Sequence, residues 1–164
     1  MIGVCCVQVT HMKKRVLSWA QIEDLVDTLV ARLPRDYDAL LAIARGGLVP
    51  CCLLSEQMDM RNILVAAVMH YTGIGQTMDR PLFLQFPDDI LLADKRILVI
   101  DDVWDSGKTI MAVKDRLRGV GCRHDVATLH YKPGHSCFPE RPEYYAEATE
   151  DWMVYPWEPR PGRD

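Results

Sequence analysis

Apolar positions near the start of the chain recur at helical spacing, and further on they close up into short unbroken runs. Trp19, Ile22, Leu25, Val26, Leu29, Val30 and Leu33 fall on one face of a helix, with Ser18 and Gln21 spaced as a capping box before it and Pro34 beyond it. Residues 39–44 form a short apolar run that ends in Arg45-Gly46-Gly47, and Leu48-Val49-Pro50 opens a second helical stretch to about Met58. This reads as strand, glycine turn, helix. Residues 63–69 predict another buried strand, whereas the stretch from Tyr71 to about Lys95 shows little periodicity and reads as a long loop, functional or mobile. Residues 97–100 are a four-residue apolar strand leading into two acids. The helix after them places Ile110, Val113, Leu117 and Val120 on one face and stops at Gly121, and residues 126–131 supply a further strand. Strands alternating with helices predict an α/β fold with a central, mainly parallel sheet and helices on both faces.

Composition narrows the class without naming a function. The 164 residues suit one domain, and 49% apolar with 26% charged residues is ordinary for a globular chain. A formal charge of −4 gives no global basic field for nucleic acid or an anionic membrane, so any phosphate site must be local. No apolar run approaches the roughly 18 residues needed to span a bilayer. Lys13, Lys14 and Arg15 follow the apolar N-terminal stretch, the reverse of a signal peptide, so cytoplasm is the expected compartment; Met12 is an alternative start. The six cysteines include two adjacent pairs and no C-x-x-C, which predicts mostly small buried fillers. His11, His70, His124, His130 and His135 lack a metal-ligand spacing, and none receives a catalytic role.

Chemistry concentrates between Asp101 and Thr109. Ser106, Gly107, Lys108 and Thr109 follow a strand and open a helix, so backbone N–H groups and the positive helix end can converge on one phosphate. A nucleotide-triphosphate P-loop is the first rival, but the first glycine of that pattern falls on Asp102, a carboxylate where close phosphate approach is needed. Asp101 and Asp102 suit a sugar phosphate better, since carboxylates accept hydrogen bonds from ribose hydroxyls and help to hold magnesium.

The run ILVIDDVWDSGKTI, residues 97–110, resembles the phosphoribosyl-pyrophosphate signature of the type I phosphoribosyltransferases. Two further segments, ARGGLVP at 44–50 and DWMVYPWE at 151–158, resemble the bacterial and archaeal xanthine-guanine branch, as does VLSW at 16–19. The resemblance implies a domain over 16–158 with a small base-binding hood mainly over 132–158, between tails at 1–15 and 159–164. It implies that Arg45, Gly46 and Gly47 bind pyrophosphate, that Asp105, Ser106, Gly107, Lys108 and Thr109 hold the ribose 5'-phosphate, and that Asp101 and Asp102 hold the ribose hydroxyls and magnesium. Asp105 is then the acid/base group near N7 of a purine. Lys132 donates to the purine 6-oxo group, Trp152 stacks on the ring, and the backbone at Met153 meets the 2-position side. Tyr71, Thr72 and Gly73 open a flap. Trp104 departs from the pattern as a bulky aromatic, expected to pack against the flap or a subunit.

The expected activity is magnesium-dependent purine salvage: guanine, xanthine or hypoxanthine plus phosphoribosyl pyrophosphate gives the nucleoside monophosphate and pyrophosphate. The expected partners are these small molecules and copies of the chain, as a dimer or tetramer, with no nucleic acid or membrane. Two alternatives stay open at this point: a phosphoribosyltransferase for another base, and a non-catalytic regulator that senses phosphoribosyl pyrophosphate.

Overall fold

The computed structural model describes residues 13–73 and 76–158. Six strands form one sheet in the order β4-β3-β2-β5-β6-β7, where β2 is Ala39–Ala44, β3 Ile63–Gly73, β4 Gln76–Gln85, β5 Arg96–Trp104, β6 Arg123–Tyr131 and β7 Tyr144–Ala148. Every pairing in it is parallel except β3 with β4. A second, two-stranded sheet pairs β1 (Lys14–Val16) with β8 (Trp152–Val154).

Strand alternation sends successive side chains to opposite faces, and each face is covered by helices. Leu40, Ala42, Leu98, Ile100, Ala127 and Leu129 pack under α1 (Trp19–Val30) and α2 (Leu48–Met58), against Ile22, Val26, Leu29, Cys51 and Leu54. Ala39, Leu41, Ile43, Ile97, Val99 and Val126 face α3 (Lys108–Val120), against Ile110, Val113 and Leu117. Each of these leucines and isoleucines contributes about 1.5–3 kcal/mol by burial. The helix signals read from sequence are realised: Ser18 Oγ accepts from Gln21 N while Gln21 Oε1 accepts from Ser18 N, and Gly121 ends α3 in the left-handed region.

Four strands escape the sequence reading. The stretch expected to be an irregular loop from Tyr71 contains β4, and Tyr71, Thr72 and Gly73 end β3 in an antiparallel hairpin. Pro81 and a broken register hide β4, an edge strand whose proline is tolerated because only one neighbour needs its hydrogen bonds. Strand β7 is likewise an edge, and β1 and β8 are three residues each, below what periodicity can detect. Lys14 and Arg15, placed by sequence in the N-terminal tail, belong to β1 and pair with Trp152 and Met153 of β8. Cys51 and Cys122 are buried as expected, but Cys52 and Cys137 are exposed, which corrects the filler reading for half of the described cysteines; Cys5 and Cys6 lie outside the described residues.

Candidate active site

The functional loops gather at the carboxyl ends of the parallel strands, the place where an open α/β sheet leaves a crevice. A cleft of about 380 Å³ is lined there by Ile43, Ala44, Arg45, Gly46, Val68, Asp101, Asp102, Thr109, Trp157 and Glu158. Beside it a cup of about 80 Å³ is formed by Asp101, Val103, Asp105, Ser106, Gly107, Thr109 and Ile110. A larger cleft, about 540 Å³ between Arg32, Asp125 and Arg141 to Tyr145, opens at the amino ends of β6 and β7 and meets none of these residues.

The two glycine loops are shaped by close approach. A Cβ on Gly47 would stand 2.2 Å from the Ile100 carbonyl oxygen and one on Gly46 2.5 Å from Asp102 Oδ2, so only glycine lets the turn after β2 cross β5. Gly46 lines the cleft, but Gly47 is buried and donates its N–H to Ile43 O at 2.8 Å. Gly47 thus packs the turn against β2 and β5, and its own N–H is already spent within the chain. Arg45 is exposed at the cleft and makes no ion pair among the described residues, and the Ala44–Arg45 peptide is cis. Gly107 has φ 80°, and a Cβ there would meet Trp104 Nε1 at 2.5 Å. Trp104 is fully buried beneath Gly107, edge-on to Tyr131, and donates Nε1–H to Ser136 Oγ at 3.1 Å, so its ring is a core group and not an exposed one. It is the floor that sets the height of the loop. Lys108 begins α3 with an exposed side chain.

Strand β5 runs through the acidic pair instead of stopping before it. Asp101 is buried, and its Oδ1 accepts the Asp102 N–H at 2.9 Å. Burial, and then the charge of Asp102, pushes the Asp101 carboxyl well up from the usual range; burial above all pushes Asp102 up to about 6. Glu158 adds its charge against Asp102 from across the cleft. Excess negative charge in a poorly solvated pocket is the environment that a hard cation or a diol relieves. Tyr155 donates its hydroxyl hydrogen to Asp102 O at 3.1 Å and lies 2.8 Å from His130 Nδ1, which must then be the donor in that contact. His130 Nε2 has no hydrogen-bond partner among the described residues, and burial pushes this histidine down to about 4.

The residues expected at a base site also converge. Lys132 Nζ stands 3.2 Å from Asp105 Oδ2 and 5.2 Å from the centroid of Trp152, whose ring is half exposed. Trp152 N donates to Lys13 O and Leu17 N to Val154 O, so alternation along β8 turns the N–H and C=O of Met153 away from β1. The Met153 side chain is buried in the core. Lys132 N donates to Trp104 O and Cys137 N to Ser106 O, which fastens the turn after β6 to the phosphate loop.

A phosphoribosyl transferase domain model matches residues 12–161. The chain belongs to the phosphoribosyltransferase family. This phosphoribosyltransferase domain is 33% identical to the xanthine-guanine phosphoribosyltransferase of Cereibacter sphaeroides over 169 aligned residues, covering 94% of this chain and 96% of that protein. A purine phosphoribosyltransferase structure from Pyrococcus horikoshii is also 33% identical, with a TM-score of 0.78 over 92% of this chain and 97% of the other. The xanthine-guanine-hypoxanthine phosphoribosyltransferase of Helicobacter pylori, at 20% identity and a TM-score of 0.77 over 88% of this chain and 94% of the other, shares the fold.

Sequence reasoning did not single out four residues that stand at this candidate site. His135 donates from Nδ1 to Asp105 Oδ1 at 2.9 Å, and Glu150 Oε2 lies 3.9 Å from its Nε2. Trp157 and Glu158 line the cleft. Only the offset of three between Lys132 and His135 hinted at a shared turn. Among the described residues no helix is long and apolar enough to cross a membrane.

Proposed function

We propose that this phosphoribosyltransferase is a purine salvage enzyme that transfers the 5-phosphoribosyl group from phosphoribosyl pyrophosphate to a 6-oxopurine. The observation that carries the choice of base is the convergence of Lys132, Asp105 and Trp152 next to the phosphate cup. An ammonium only donates, so it favours a 6-oxo acceptor and opposes the exocyclic amine of adenine. The ring of Trp152 offers a stacking face, and the outward groups of Met153 can meet the 2-position side of the purine. The names of the similar enzymes from Cereibacter sphaeroides and Pyrococcus horikoshii agree with this reading.

In the reaction the purine nitrogen attacks the ribose anomeric carbon while the carbon–oxygen bond to pyrophosphate breaks, its electron pair leaving with the pyrophosphate. Main-chain donors of the Ser106–Thr109 loop and the start of α3 hold the 5'-phosphate, and Arg45 with Gly46 faces the leaving group. Asp101 and Asp102 meet the ribose hydroxyls. Asp105 takes the proton that the purine loses at N7. The two burial-raised carboxylates fit magnesium, which typically takes one or two carboxylates and completes its shell with phosphate oxygens and water. When bound it supplies charge neutralisation at the departing pyrophosphate. The β3–β4 hairpin runs past the end of β2, where Val68 lines the cleft, and acts as the flap over the substrates. We assign the protein to the cytoplasm as a homo-oligomer; Met69 and Leu82, paired and half exposed on the hairpin, give copies an apolar surface to share.

Pyrophosphate release from phosphoribosyl pyrophosphate, assayed with guanine, xanthine, hypoxanthine, adenine and a pyrimidine, with magnesium and with excess chelator, tests the assignment. Release with the three 6-oxopurines and magnesium is the expected result. Robust use of adenine, or full activity in chelator, would refute it.

A further inference from the structure

Asp105 sits on the phosphate loop with its side chain 42% exposed, yet both of its carboxylate oxygens are engaged. Lys132 Nζ approaches Oδ2 at 3.2 Å, and His135 Nδ1 approaches Oδ1 at 2.9 Å. A carboxylate oxygen only accepts, so the ring hydrogen of this contact sits on Nδ1. His135 is itself held in place. Its backbone N–H and that of Ser136 both donate to Lys132 O at 3.2 Å, so the turn that carries Lys132 also carries the imidazole. Glu150 Oε1 accepts from Gly134 N at 2.8 Å, and its other oxygen lies 3.9 Å from Nε2 on the far side of the ring. Ser136 and Cys137 then bolt the turn to Trp104 and Ser106, the residues on either side of Asp105 in the loop.

We infer that His135 is a positioning residue for the transfer reaction: it fixes the Asp105 carboxylate toward the purine once Lys132 turns its hydrogen bonds to the base. The inference rests on the reading of Asp105 and Lys132 as purine-facing groups. In the free protein the Lys132 ammonium and the His135 ring N–H share the carboxylate. When the ammonium is drawn to a 6-oxo oxygen, Oδ2 loses part of its hold, and the His135 bond at Oδ1 is what keeps a half-exposed side chain from rotating away. Its contribution therefore appears in turnover with purine bound and not in the use of phosphoribosyl pyrophosphate.

The test compares His135→Ala, His135→Gln and His135→Asn, because asparagine places its amide near the position of Nδ1 and glutamine near that of Nε2. Loss of a hydrogen bond to a charged group corresponds to about 10- to 100-fold. The alanine and glutamine variants should lose that factor in kcat with guanine, the KM for phosphoribosyl pyrophosphate should stay within about 2-fold, and asparagine should restore kcat to within about 3-fold. In an Asp105→Ala background the same three substitutions should change kcat by less than about 3-fold, since the group they position is gone. Equal kcat for the glutamine and asparagine variants, or a full additional loss in the Asp105→Ala background, overturns the inference. Should His135→Ala fail to fold, the glutamine and asparagine pair decides alone. If the unsubstituted protein turns over no 6-oxopurine, the proposed function itself falls and the inference with it, an outcome the variant series cannot mimic.

Discussion

The proposed phosphate end and the proposed base end of the site are built from different materials. At the first the main chain dominates: Gly46 and Gly107 stand where a Cβ would collide, α3 starts at the cup, and the loops are contiguous in sequence with the strands that carry them. At the second side chains dominate. Asp105, Lys132, His135 and Trp152 come from three segments and meet only because β5, β6 and β8 are set side by side or folded over one another. A main-chain site tolerates few local changes but accepts any phosphate, whereas a side-chain site is altered one donor at a time and so carries the choice of substrate.

The sharpest way to break the phosphate end is steric. Gly47→Ala puts a Cβ 2.2 Å from the Ile100 carbonyl, and backbone on both sides cannot yield cheaply. A stability loss of at least about 3 kcal/mol in denaturant unfolding is expected, with transfer activity lost; a normally stable, active variant would show that the turn is plastic. Next in size is the acidic pair. Asp101→Asn with Asp102→Asn should lower kcat/KM for phosphoribosyl pyrophosphate by about 10²- to 10³-fold and flatten its dependence on magnesium, read from initial rates across a magnesium titration.

The base end should fail selectively. Lys132→Ala is expected to cost guanine and xanthine about 10²-fold in kcat/KM while adenine, already poor, changes little. Trp152→Ala removes a stacking face indifferent to ring substituents and should weaken all purines together by about 3- to 10-fold. Steady-state kinetics with four purines on the three proteins separates the two patterns, and a uniform effect of Lys132→Ala would remove the contrast drawn here.

The smallest effect lies at the joint between the ends, where His130 holds Tyr155 against the Asp102 carbonyl. The folded His130 titrates at about 4, below its ordinary 6.5, so the unfolded chain takes up the proton first as the pH falls. Its neutral form costs nothing above about pH 6.5, and stability drains away between there and about pH 4. Between pH 7 and 5.5 the wild-type advantage over His130→Gln should shrink by about 1 kcal/mol in urea melts at each pH. A constant gap would mean that His130 titrates normally.

How far the sequence alone reached follows the same division. The capping box at Ser18, the helix faces, the stop at Gly121 and the strand-loop-helix around 97–120 were legible because each is a local pattern whose cause lies within a few residues. The turns that follow β2 and β5 were legible for that reason too, whereas the ligand roles given to Arg45 and Gly46 came from the family resemblance. Strands β1, β4, β7 and β8 were not, since an edge or three-residue strand takes its identity from the partner it pairs with. Nor could spacing show that Gly47 spends its N–H on Ile43, that Trp104 is the floor of the phosphate loop, or that His135 grips Asp105. Those facts depend on contacts between residues about 30 apart in the chain or on which way a turn faces. Local patterns and the family resemblance singled out residues 101–109 and named Asp105, Lys132 and Trp152; only the tertiary structure brought these side chains together and added His135, because side-chain clusters are assembled by packing and leave no period in the sequence.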